Sequence, residues 1–99
     1  MSLGYRAVET LRKAGASVVA DALGRLGGVR GLQRYDRGEH CLVARALTVE
    51  TRVGDNLAVR VALALAQPGE VLIVAGGGCV EHALVGDLTR RYAIDRGVA

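Results

Sequence analysis

The sequence predicts an α/β fold, and three observations carry that prediction. Two runs, "HCLVARALTVETR" and "VLIVA", are aliphatic and β-branched, with apolar residues on both faces. The segments around them repeat their apolar residues at helical spacing. Glycine and proline punctuation, as in "QPGE" and "GGG", separates the two kinds of segment. Helix and strand layers therefore alternate along a chain of 99 residues, a length that suits one small domain.

Tyr5, Val8 and Leu11 place a first helix over Tyr5 to Ala14. Gly15 interrupts it, and Ser17 is a candidate cap for a second helix with Val19, Ala22, Leu23 and Leu26 on one face. Gly27 and Gly28 end that helix, and "VRGLQRYDRGE" is a polar connection. In the next run Cys41, Val43, Leu47 and Val49 alternate with Leu42, Ala44, Ala46 and Thr48, the pattern of a strand buried on two sides. Gly54 turns the chain, and Asp55 or Asn56 caps a helix holding Leu57, Val61, Ala64 and Leu65. "QPGE" breaks that helix ahead of a second buried strand, Val71 to Ala75, which runs into Gly76, Gly77 and Gly78. A last helix carries Leu84, Leu88 and Tyr92 and ends at Arg96 and Gly97, leaving Val98 and Ala99 to begin another strand.

Composition narrows the function. Hydrophobic residues make up 51% of the chain, but Phe and Trp are absent and only Tyr5, Tyr35 and Tyr92 are aromatic. A core of Val, Leu, Ile and Ala is marginal at this size, so association with further protein is expected. The net charge of +3 comes from scattered arginines, with Arg30, Arg34 and Arg37 loosely grouped and Arg90 beside Arg91. Nucleic-acid surfaces concentrate charge and add stacking aromatics, and neither is visible. Cys41 and Cys79 are too few for a disulfide framework, and no signal peptide or membrane-length apolar run is present, which points to the cytoplasm and away from a membrane partner.

Most motifs have a plain alternative. "GGG" after a strand invites a nucleotide, but Glu81 stands where a dinucleotide loop needs its third glycine, and no Walker lysine follows. A tight turn at the strand exit accounts for these glycines. His40, Cys41, Cys79 and His82 are four zinc-type ligands, but neighbours on a strand point to opposite faces, which keeps His40 and Cys41 apart. Ser2 and Ser17 are the only serines, and neither lies in a nucleophile setting. "ALVGDLTRR" is different. A glycine within a helix costs about 1 kcal/mol against alanine, whereas a helix that starts at Gly86 escapes that cost. The amides of Gly86, Asp87, Leu88 and Thr89 would then be the unpaired N–H groups of a first turn, suited to a carboxylate or phosphate. Asp87 there either holds the water shell of a divalent cation or simply caps the helix.

"GDNLAVRVALALAQPGEVLIVAGGG" followed by "EHALVGDLTRRYAIDRGVA" resembles the RraA-like family, and the similarity runs from about Ser17, through Asp21 in "VADAL", to Ala99. That family includes 4-hydroxy-4-methyl-2-oxoglutarate aldolases, oxaloacetate decarboxylases and regulators of ribonuclease E activity, and some members carry an older label as demethylmenaquinone methyltransferases. The resemblance implies a β/β/α swivelling-domain fold, incomplete in this chain, assembled as trimers or hexamers with sites between subunits. It implies that the backbone from Gly86 to Thr89 holds the carboxylate of a small 2-oxo acid, with Asp87 orienting metal-bound water. The family's Arg-Asp pair, whose aspartate ligates Mg2+ or Mn2+, falls beyond Ala99; "TRRYAID" holds Arg and Asp on the helix itself. Residues 1–99 thus read as the N-terminal part of a longer domain, the alternative being a degenerate member of the family, with no direct metal ligand of their own. The expected parent activity is retro-aldol cleavage or decarboxylation, the chain alone being inactive. A protein-binding regulator is the alternative, and a methyltransferase the third reading.

Overall fold

The computed structural model describes residues 4–33 and 41–99, arranged as two compact units, Met1–Val43 and Ala44–Ala99. The first contains α1 (Tyr5–Ala14) and α2 (Ala16–Ala22). Gly15 joins them with φ of 80°; its N–H donates to the Leu11 carbonyl, and its own carbonyl accepts from Val19, both at 3.2 Å. One glycine therefore ends one helix and caps the next, and Ser17 makes no capping bond. The second helix also stops earlier than its apolar spacing suggests, leaving Leu23 and Leu26 outside it. The cause is Gly24, at φ 73°. The N–H of Arg25 reaches back to the Ala20 carbonyl at 2.8 Å and that of Gly24 to Asp21 at 3.1 Å, the paired bonds of a Schellman closure.

The second unit is α/β, as its alternating pattern predicts. It contains β1 (Arg45–Glu50), α3 (Leu57–Leu65), β2 (Glu70–Ala75) and α4 (Asp87–Asp95). β1 and β2 pair in parallel, from Arg45 opposite Glu70 to Glu50 opposite Ala75. Parallel neighbours need a crossover, and α3 supplies it. The Asp55 carboxylate starts α3 by accepting the Leu57 N–H at 2.9 Å. Pro68 and Gly69 end it in a turn closed by the Glu70 N–H on the Gln67 carbonyl at 3.2 Å.

The core lies between α3 and one face of the sheet. Val59, Leu63, Ala66 and Val98 are buried, with Leu47, Leu72, Val74 and Ala93 packed against them. Two expectations are corrected here. The strands are not covered on both sides: Thr48, Glu50 and Ala75 are exposed, and Ile73 is 47% exposed. A single helical layer can cover only one face. Nor do all the apolar residues that mark α3 enter the core, since Leu57, Val61 and Leu65 are exposed while Val59, Ala62 and Leu63 are buried. Arg60 apart, the helix is apolar on every side, so periodicity offers two faces and the connections to the strands select one.

The tail adds to the sheet. Ala99 donates to the Glu70 carbonyl at 3.0 Å and accepts from the Leu72 N–H at 2.7 Å, the pair of bonds made by a parallel neighbour. Because Ala75 offers its carbonyl to Thr51 after β1, the alternation of the backbone puts Ala99 on the other edge of β2. Ala99 alone makes such bonds; Val98 donates to the Ala93 carbonyl at 2.9 Å and enters the core, so the two residues do not form a further strand.

Candidate functional site

Because β1 and β2 run in the same direction, the loops that follow them leave the sheet at one end. Carboxyl ends of parallel strands are where open α/β sheets bind ligands. The first loop, from Thr51, leads into α3; the second, from Gly76, leads through residues 79–85 to α4.

The second loop resolves the question of Gly86. It is extended, with φ −108° and ψ −177°, and it is the cap of α4, its carbonyl accepting the Arg90 N–H at 2.9 Å. The penalty for a glycine in a helix interior therefore does not arise. Asp87 is an exposed first-turn residue, and no side chain caps the helix. Among the described residues the N–H groups of Gly86, Asp87, Leu88 and Thr89 meet no acceptor. Four adjacent unpaired donors at the positive end of a helix form an anion-attracting turn. Leu84 lies before α4 and not within it, a correction to the four-residue series.

Leu84 has a different task, which accounts for the glycine run. A β-carbon on Gly76 would lie 2.5 Å from Leu84 Cδ1, and one on Gly77 would lie 2.8 Å from Val53 Cγ2. Gly77 and Gly78 also have φ of 69° and 74°, and the Cys79 N–H closes the turn on the Gly76 carbonyl at 3.4 Å. Protein side chains fill the space that a phosphate cradle would leave open, so the glycines serve a strand-exit turn. Beneath them the Thr51 hydroxyl is buried without a hydrogen-bond partner among the described residues.

The zinc-type residues give no metal cluster among the described residues. His40 lies outside the described residues, as do Arg34, Tyr35 and Arg37. Cys41 and Cys79 are free thiols, and His82 is exposed beside Gly54. Among the described residues no three His, Cys, Asp or Glu side chains converge as a metal site. Arg90, Arg91 and Asp95 all lie on α4, so the "TRRYAID" stretch does not substitute for an Arg-Asp pair at a strand end.

A feature that sequence reasoning missed adjoins the turn. An open groove of about 550 Å³ runs between α3 and α4, lined by Leu57, Arg60 and Val61 on one side and Leu88, Thr89 and Tyr92 on the other. Its signal was present, since Leu57, Arg60, Val61 and Ala64 follow helical spacing, but the same residues read equally well as a core face. Leu88 is 88% exposed there. No helix among the described residues is long and apolar enough to cross a membrane.

No curated protein and no solved structure gives a significant match to the chain. The family model described as Aldolase/RraA, RraA-like, matches residues 16–99, which takes in the helix after Gly15, both strands, the glycine turn and the Gly86 cap. The chain belongs to the RraA-like family.

Proposed function

We propose that this chain is part of a lyase acting on small 2-oxo acids, by retro-aldol cleavage of 4-hydroxy-4-methyl-2-oxoglutarate, decarboxylation of oxaloacetate, or both. The observation that carries the reading is the turn from Gly86 to Thr89, whose four N–H groups lack acceptors among the described residues and which follows the second strand of a parallel pair. A carboxylate is the ligand such a turn suits, because several N–H dipoles share one diffuse negative charge. Membership of a family that includes aldolases supports the same reading. In it, the Gly86, Asp87, Leu88 and Thr89 amides hold the substrate carboxylate. The Asp87 carboxylate, on the same turn, orients water near the reacting carbons.

The described residues do not by themselves fit a divalent metal. Asp87 is exposed, and no cluster of three ligand-type side chains accompanies it. Any Mg2+ or Mn2+ the reaction uses therefore takes its direct ligands from outside the described residues. Magnesium usually needs one or two direct carboxylates and keeps the rest of its shell as water. Accordingly the 99-residue chain alone is expected to be inactive.

The test is pyruvate release from oxaloacetate and from 4-hydroxy-4-methyl-2-oxoglutarate, with Mg2+ present, by the longest natural protein that contains this sequence. Pyruvate production that depends on Asp87 supports the reading, and its absence with both substrates ends it. One observation favours a second reading, a protein-binding regulator of the ribonuclease E type in a homotrimer or hexamer. The groove and its exposed Leu57, Val61 and Leu88 form an apolar surface of the kind that protein contacts cover. Saturable binding to purified ribonuclease E without pyruvate release would favour that alternative.

A further inference from the structure

Helix α4 carries the anion-attracting turn, yet none of its side chains is buried. What holds it in place is therefore a real question, and its carboxyl end gives the answer. Arg96 Nη2 donates to the Ala66 carbonyl at 2.9 Å and to the Ala64 carbonyl at 3.2 Å, both at the end of α3. The same guanidinium lies over the Tyr92 ring, 5.6 Å from its centre. Its Nε is buried without a partner among the described residues. No carboxylate neutralises the group among the described residues, but two helix ends do part of that work. Arg96 sits at the carboxyl end of α4 while bonding to the carboxyl end of α3, and a cation is favoured at each.

We infer that Arg96 is a positioning residue, which clamps the two helix ends together and so fixes where the Gly86–Thr89 turn sits. The chain beyond it completes the clamp. Gly97 accepts the Gly69 N–H at 2.7 Å, and Val98 enters the core. Leu57 and Leu88, near the amino ends of α3 and α4, share one groove, so the helices run side by side in the same direction. Fixing one end of so short a rod, about 13 Å long at 1.5 Å per residue, fixes the other. The inference rests on the proposed role of the turn, but part of its test does not.

The experiment compares the full chain with Arg96→Met and Arg96→Lys by amide hydrogen exchange and by pyruvate titration followed in NMR spectra. Loss of the clamp in Arg96→Met should speed exchange at Arg90, Arg91 and Tyr92 about tenfold while β2 and α3 stay within about twofold, because only a local opening is released. Arg96→Lys keeps the charge but not the two-carbonyl geometry and should fall between. Pyruvate affinity, read at the Gly86 to Thr89 amides, should weaken about fivefold in Arg96→Met through lost preorganisation. Uniform acceleration across the unit would mean Arg96 adds only general stability, and unchanged exchange would mean it does nothing for α4; either overturns the inference. If Arg96→Met does not fold, Arg96→Lys carries the same comparison. If the unaltered chain shows no pyruvate shift, the anion-holding reading fails, and the exchange comparison still decides the role of Arg96.

Discussion

At the scale of single residues, glycines with similar sequence settings do different things. Gly86 is extended and nothing lies within 4 Å of where its β-carbon would be, so a side chain fits there without strain. Gly86→Asp should then stabilise the helix by a few tenths of a kcal/mol as a better cap. The same carboxylate would occupy and repel the site of an incoming anion, so pyruvate binding at the turn should be lost. A urea melt and a pyruvate titration on one sample would show the opposite signs. Gly77 is the converse case. At φ 69°, with Val53 Cγ2 2.8 Å from an added β-carbon, Gly77→Ala should destabilise by about 2 kcal/mol in the same melt. The sequence marked all three of Gly76, Gly77 and Gly78 as a turn but could not say which side chains close on them. That depends on Leu84 and Val53, distant neighbours in the chain.

At the scale of elements, the helices and strands were legible where local signals agreed. α1 follows its predicted span from Tyr5 to Ala14, and β2 begins one residue earlier than the Val71–Ala75 reading. Boundaries moved where a cap outweighed a pattern, as at Gly24, which closes α2 despite the apolar Leu26 beyond it. The phase of α3 was not legible. Leu57, Val61 and Leu65 form as good a stripe as Val59, Leu63 and Ala66, and only the packing distinguishes them. A pair of substitutions measures that choice. Leu63→Ala, at a site 2% exposed, should cost about 3 kcal/mol. Val61→Ala, at a site 52% exposed, should stay within about 0.5 kcal/mol of the unaltered chain. Equal losses in denaturant melts would overturn this assignment of the core face of α3.

At the scale of the whole molecule, several large apolar side chains stay exposed. Ile73 on one face of the sheet and Leu57, Val61 and Leu88 along the groove are all uncovered. Exposed apolar surface of that kind drives association. Light scattering on the purified chain should therefore report a mass above the 10.3 kDa monomer, rising with concentration, and a clean monomer at high concentration would remove that expectation.

The sequence by itself determined the alternation of helix and strand, the glycine turn and the family, because each rests on local spacing or on a specific ordered set of short motifs; it offered Gly86 as one of two starts for the last helix. Tertiary structure alone decided which face of α3 is core, that one face of the sheet stays open, and that Arg96 joins the ends of two helices. It also decided that Ala99 pairs with β2 on the edge away from β1. Those outcomes depend on contacts between residues about thirty positions apart, such as Arg96 with Ala64 and Ala66. Hydrophobic periodicity is blind to them, since it records that a face is apolar and not what will come to lie against it.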